Sequence, residues 1–394
     1  MKALSAIVAG HICLDIYPDL SNLSAGRFKE SFIPGHLMNI GPLSFATGGA
    51  VSNTGLALHT LGVETRLMGK IGQDYLGTIV KEIIQSYSPS LVQGMIEDAQ
   101  VNTSYTIVIT PPEIDRYLLH CTGANDTFSS NDINTSLLTK SDIFHFGYPP
   151  LMQQMYAADG IELARFFQLA KQTGITTSLD TAFTAPDTPA GQADWRKILS
   201  ATLPYVDIFM PSIEEMLCML RQDEYNNLRA QVTDGDIIPL VKSDLLTSLS
   251  AELLEMGVKI VGLKLGSRGL FIRTGSPDIL ADMGRARPSD VSSWANQELW
   301  SPCYEVNVAG TAGSGDATIA GFLCAVLHDF SPSQAINAAV AVGACNVEAV
   351  DTLSGIKPWD ETMERITKGW PKKKLDLKDD GWWYDSDQQV WARV

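Results

Sequence analysis

The residues Ala309-Gly310-Thr311-Ala312-Gly313-Ser314-Gly315-Asp316 run straight into an apolar segment, Ala317–Phe322, at helical spacing. Glycines let successive backbone N–H groups converge on one point. A helix beginning there adds the positive end of its dipole, so the pattern suits an anion. A carboxylate in such a loop would repel that anion unless it has a task of its own. A general base supplies one: Asp316 takes a proton from a hydroxyl while the loop neutralises charge on a transferring phosphoryl group. The plainer reading is a glycine turn with an aspartate at a helix start. The segment is not a Walker-type phosphate loop. Gly310 and Gly315 have that spacing, but Asp316-Ala317 stands where Lys-Ser/Thr is required. Nor is it the Gly-x-Gly-x-x-Gly dinucleotide pattern.

Other polar, glycine-rich spots sit where strands should end. Gly10-His11-Ile12-Cys13-Leu14-Asp15 leaves a first strand with a carboxylate, and Gly48-Gly49-Ala50-Val51-Ser52-Asn53 opens a helix. Ligands of open α/β sheets bind beyond the carboxyl ends of the strands, which makes Asp15 and Asn53 candidates to grip a polyol. An aspartate accepts two hydroxyl hydrogen bonds, and an asparagine amide both gives and accepts. Taken singly, Asp15 also reads as a turn residue and Asn53 as a helix cap.

Positioning these residues takes a layered α/β fold. Strand-like runs at Ala6–Ala9, Thr65–Gly69, Ile143–Phe146, Thr176–Leu179, Ile208–Met210, Ile260–Leu265 and Gly269–Ile272 alternate with helical patterns. The helices are expected at Ala50–Leu61, Gly77–Ser86, Gly160–Thr173, Leu245–Met256, Ala317–Leu327 and Ser333–Ala349. The alternation predicts a doubly wound, mostly parallel sheet flanked by helices. Two stretches break it: residues 12–46, rich in Gly, Pro, Ser and Asn, and residues 99–122. The second reads as a hairpin of Thr103–Ile109 and Tyr117–Cys121 joined through Pro111-Pro112-Glu113-Ile114-Asp115. Both belong to a small β-sheet lid. Residues 222–240 and 276–299 read as irregular surface insertions.

The 394 residues can bury a large core, and six cysteines without a C-x-x-C pair read as reduced thiols. A net charge of −16 argues against nucleic acid or an anionic membrane as partner. No run approaches a membrane span or a secretion signal, and a cytoplasmic protein is expected. Residues 1–369 are read as the main domain and residues 370–394 as a tail. In that tail Lys372-Lys373-Lys374 and Asp379-Asp380 precede Trp382, Trp383, Tyr384 and Trp391. So many tryptophans cost too much to leave in water, so a docked terminal hairpin is expected; a subunit contact or a wall of the site's mouth is the alternative.

Together the spots resemble the ribokinase-like (PfkB) carbohydrate kinase family, from the N-terminus to about residue 355. One signature looks like Gly48–Leu58 running through Leu61-Gly62 to Gly69–Gly77, the other like Gly310–Asp316. Arg116, Gly123-Ala124-Asn125, Glu214-Glu215 and Leu265-Gly266-Ser267-Arg268-Gly269 match further landmarks in order. The resemblance implies ATP-dependent phosphorylation of a sugar or related alcohol. Asp316 would be the base, and the backbone of Gly313, Ser314 and Gly315 the anion hole. Asp15, Gly48, Gly49, Asn53, Asn125 and Tyr148 would face the substrate. Lys264, Gly266, Gly269, Thr311, Asn346 and Ser212 would face the nucleotide, and Glu215 would hold Mg²⁺ through water. Four departures stand out. Gly310 and Ala312 replace Asp and Thr, Ser212 replaces Asn, Lys264 replaces Thr, and Ala182 replaces an Asn. Gly310 counts against an activating monovalent cation, and Lys264 offers a charge to the ATP phosphates. A homodimer through the lid is a further expectation. A nucleoside kinase on the same fold and a catalytically weak sugar-binding sensor are the competing readings.

Overall fold

The computed structural model describes residues 4–393 other than 32, 114–115, 234 and 378–380. Ile114 and Asp115 of the expected hairpin loop and Asp379-Asp380 of the tail therefore lie outside the described residues. Sixteen strands are present among them. In chain order these are β1 (Ser5–Gly10), β2 (Cys13–Pro18), β3 (Leu43–Gly48), β4 (Glu64–Met68), β5 (Lys70–Gly72), β6 (Ile96–Asp98), β7 (Tyr105–Ile109) and β8 (Tyr117–Cys121). Then come β9 (Ile143–Gly147), β10 (Thr176–Leu179), β11 (Ile208–Phe209), β12 (Ile260–Lys264), β13 (Leu270–Thr274), β14 (Glu298–Ser301), β15 (Trp382–Asp385) and β16 (Val390–Arg393).

Ten strands form the main sheet in the order β15-β16-β14-β13-β12-β11-β10-β9-β1-β4. The half from β4 to β12 is parallel, and β13, β14, β16 and β15 follow antiparallel. Strands of a parallel sheet are covered on both faces and so read as continuous apolar runs. β1 shows why: Ala6 and Val8 pack into one core, Ile7 and Ala9 into the other. Helices Ala50–Thr60, Ser314–Leu327 and Pro332–Asn346 cover the first face. Helices Ile161–Gln172, Trp195–Thr202, Ile213–Leu220 and Ser243–Glu255 cover the second.

A separate four-stranded sheet, β3-β2-β7-β8, combines the two stretches that break the alternation. Its register sets Asp15 opposite Thr106, and Thr106 opposite His120, along one face. The other face carries Ile16, Phe45, Ile107 and Leu119 in one row.

The segments expected to be irregular are partly regular. Residues 222–240 hold the helix Gln222–Arg229, and residues 276–299 hold helices Pro277–Ala281 and Val291–Trp294 and the start of β14. Elements of four or five residues are too short to show a period, and pairing with β13 rather than local pattern makes β14 a strand. Residues 382–393 form a hairpin whose second strand pairs with β14, and Trp382 packs against Phe271 and Trp300.

Candidate active site

Asp316 sits in the first turn of helix Ser314–Leu327, behind Gly313, which takes φ 73° at the cap. The carboxylate is buried, with 3% of its residue surface exposed, yet three side chains donate to it. Asn53 Nδ2 reaches Oδ2 at 3.0 Å, Tyr148 OH reaches the same oxygen at 2.7 Å, and Thr54 Oγ1 reaches Oδ1 at 3.1 Å. Asn53 and Thr54 come from helix Ala50–Thr60, and Tyr148 follows β9 directly. Tyr148 holds a left-handed backbone (φ 65°, ψ 43°) just before Pro149, a conformation that costs an L-residue energy. Burial, then the charge of Asp316, raise its phenol well above the ordinary value, so the hydroxyl keeps its proton and donates. Gly49 is a glycine for a visible reason. Its φ is 87°, and a Cβ there would come within 2.5 Å of His11 Nδ1.

A second cluster lies next to the first. Lys264, at the end of β12, donates to Asp180 Oδ1 at 2.7 Å, and Asp180, at the end of β10, is 1% exposed. Burial lifts the Asp180 carboxyl to about 8 against the pull of Lys264, and Glu215 and Asp316 push the same way as burial. Burial acts to lower Lys264, but Asp180, Glu215 and Asp316 outweigh it and keep the ammonium charged. A methyl group built on Gly315 would lie 3.6 Å from Lys264 Nζ, which places this cation against the glycine turn. Glu215 Oε2 accepts from Thr181 Oγ1 at 2.7 Å and from the Ser212 N–H at 2.9 Å. Asp180 Oδ2 has no hydrogen-bond partner among the described residues.

Lys264, Gly266, Gly269, Thr311, Ser314 and Gly315 line one cleft, closed on its apolar side by Val306, Val340, Gly343 and Val347. Ser314 N–H makes a turn bond to Thr311 O at 3.3 Å. Gly310 lies against the backbone of Ala349 and Val350, and a Cβ there would come within 2.7 Å of Val350 O.

Three expected ligand contacts have other partners. Asn125 is fully buried and spends its amide on Ile12, accepting from its N–H at 3.1 Å and donating to its carbonyl at 2.9 Å. It ties the smaller sheet to the 3₁₀ turn Gly123–Thr127. Ser212 caps helix Ile213–Leu220 in a reciprocal box with Glu215. Asn346 turns inward and donates to Thr352 O at 2.6 Å, while its neighbours Gly343 and Val347 face the cleft. Asp15 lies on the inner face of the smaller sheet, so close to Gly48 that a Cβ there would meet its Oδ2 at 2.3 Å. Burial raises the Asp15 carboxyl, opposed by hydrogen bonds from Cys13, Thr106 and Tyr17.

Thr54, Asp180 and Thr181 are the residues that sequence reasoning missed. Asp180 had a signal, a carboxylate at a strand's carboxyl end. Thr54 had only its place beside Asn53.

Magnesium typically binds one or two carboxylates together with substrate phosphates and keeps several waters. Glu215 and the unpartnered Asp180 oxygen fit that pattern, and among the described residues no group of three or more His, Cys, Asp or Glu side chains could hold a metal alone. The residues do not fit a monovalent cation bound through a carboxylate at position 310, because packed backbone stands there. Among the described residues no helix is long and apolar enough to cross a membrane.

Residues 16–359 match the family model described as pfkB family carbohydrate kinase. An ATP-dependent ribose-1-phosphate kinase of Halopiger xanaduensis is 24% identical over 299 residues, 75% of this chain and 79% of that protein. A ribokinase of Haemophilus influenzae is 23% identical, covering 84% of this chain and 90% of its own length. Among solved structures, Arabidopsis thaliana ribokinase in complex with ribose and ATP superposes with a TM-score of 0.66 at 17% identity, over 92% of this chain and 98% of that one. Xylella fastidiosa fructokinase with bound ATP gives 0.65 at 17% identity, over 92% and 98%. With the family match spanning most of its length, the chain belongs to the PfkB family of carbohydrate kinases.

Proposed function

We propose that the protein transfers the γ-phosphoryl group of ATP to a hydroxyl of a sugar or sugar derivative, with Asp316 as general base. The observation that carries this is the buried Asp316 carboxylate, oriented by three donors at the head of a helix that follows a glycine turn. The acceptor oxygen attacks the γ-phosphorus, its proton passes to Asp316, and the bond to the β-phosphate oxygen breaks to release ADP. The Gly313–Gly315 backbone and the helix dipole offset charge on the transferring group. Lys264 lies against that turn and adds a fixed positive charge. Asp15, Gly49 and Asn53 hold acceptor hydroxyls, with the smaller sheet as a lid that excludes water. Glu215 and Asp180 would hold Mg²⁺, which when bound would supply positive charge to the phosphates. With packed backbone at Gly310, the ammonium of Lys264 stands in for a monovalent cation, and turnover is expected to be equal in potassium and in sodium. The lid's outer apolar row is proposed to join two subunits.

The test is ADP release from Mg·ATP across sugars, sugar acids, polyols and nucleosides, with Asp316→Asn in parallel. Turnover with one acceptor class, lowered roughly 10²–10⁴-fold in Asp316→Asn, is expected. Turnover confined to nucleosides would move the acceptor class. Sugar binding without any turnover would leave a sensor.

A further inference from the structure

The cleft lined by Lys264, Gly266, Gly269, Thr311 and Gly315, where the family resemblance puts the nucleotide, has one wall from outside the family match. Residues 371–373 lie antiparallel to residues 303–305. Glu305 N–H donates to Pro371 O at 2.9 Å, Tyr304 and Lys372 form a bridge, and Lys373 N–H donates to Cys303 O at 2.8 Å. The segment is pinned on both sides of this pairing. The Trp370 ring stacks on Tyr304 at 4.5 Å, with the Arg365 guanidinium 3.5 Å from its centre. Lys372 Nζ points into the body, donating to Ser301 Oγ at 2.6 Å, Asn337 Oδ1 at 2.5 Å and Gln389 O at 2.8 Å.

Side chains alternate along an extended segment, so Lys372 pointing inward sends Lys373 the other way. That way leads to the cleft, where Lys373 joins Cys303, Gly266, Lys264 and Gly315 in the lining. Its charge reaches the Cys303 thiol, which lines the same wall. The electrostatics give Lys373 a purpose. Lys264 is already paired with Asp180 and faces Glu215 and Asp316, so the cleft's inner end is rich in carboxylates. The whole chain carries −16. An anionic ligand entering there meets repulsion unless another cation stands at the cleft.

We propose that the C-terminal segment is the outer wall of the nucleotide cleft and that Lys373 binds the phosphate-bearing part of the nucleotide, so that segment docking and nucleotide binding reinforce each other. The inference rests on the nucleotide reading of this cleft. Reinforcement must run both ways, since coupling between two binding events is reciprocal.

The test is calorimetric titration of the full chain with ADP and with adenosine, using wild type, Lys373→Met and Lys373→Arg. Lys373→Met is expected to bind ADP about tenfold more weakly, the size of a lost charge-assisted contact, and adenosine as wild type does. Lys373→Arg is expected to stay close to wild type. Saturating ADP should slow amide exchange across residues 370–377 in wild type and much less in Lys373→Met. Unchanged ADP affinity in Lys373→Met, with wild type binding normally, overturns this inference and leaves the kinase reading intact. Equal weakening for adenosine overturns the assignment to the phosphates. Exchange in wild type that ADP leaves unchanged overturns the coupling. Wild type that binds neither ligand sinks both readings together.

Discussion

Tyr148 spends backbone strain to place one hydroxyl on the oxygen where a base would receive its proton. That hydroxyl occupies a position that an acceptor hydroxyl, or a water, would otherwise take. Tyr148→Phe leaves the ring in place and frees Asp316 Oδ2 on that side. ATP hydrolysis without any acceptor is therefore expected to rise, by up to about tenfold, the scale of one hydrogen bond to a charged group. A phosphate-release assay lacking acceptor measures this directly, and an unchanged rate would show that Tyr148 does not shield the base. The neighbouring His11 ring is buried, with neither nitrogen hydrogen-bonded among the described residues, 6.3 Å from the Tyr148 ring and 5.3 Å from His120. Burial, then His120, lower it to about 3, so it meets any ligand as a neutral imidazole. Asp316 was legible in the sequence because a carboxylate in a glycine turn is chemically odd. Asn125, Ser212 and Asn346 were legible only as polar side chains, and their bonds to Ile12, the Glu215 N–H and the Thr352 carbonyl appear only in the fold. A sequence shows that a side chain is polar but not whether the backbone has already claimed its hydrogen bonds. Lys264 was visible as a charge, but its pairing with Asp180 depends on β10 and β12 flanking β11, which only the folded sheet reveals.

Among the elements, the parallel strands were the easiest to read because burial on both faces makes them continuous apolar runs. β14 was the hardest, since its four residues become a strand only between β13 and β16. The tail segment beside it carries its own titration. Burial depresses the Lys372 ammonium to about 7, while an unfolded lysine titrates near 10.5. Between those values the unfolded chain binds more protons than the folded one, so stability rises with pH across that window. The melting temperature of wild type is expected to gain on that of Lys372→Met by a few degrees between about pH 7 and pH 9.5. Parallel melting curves over that range would contradict the assignment. The variant also loses the hydrogen bonds of Lys372, at most two once the amine is neutral, so the comparison reads the trend with pH and not the offset between the curves.

Across the whole molecule, the smaller sheet presents Phe45 at 43% and Leu119 at 54% exposure on its outer face, with Leu43 and Tyr117 beside them. A row of apolar side chains aligned by strand register suits a second copy better than water. Sedimentation is expected to show a dimer for wild type and a monomer for Phe45→Lys/Leu119→Lys, and a monomeric wild type would remove the lid interface. At the other end of the molecule, the C-terminal hairpin joins the main sheet only at its edge, beyond β14. A sheet can lengthen at an edge without disturbing the register of any strand already inside it. The hairpin therefore leaves every parallel strand, and Asp316 behind its glycine turn, in place. It needs aromatic partners only along the border, where Trp382 meets Trp300 and Trp370 meets Tyr304. Exchanging residues 370–393 is then an edge repair rather than a redesign of the core.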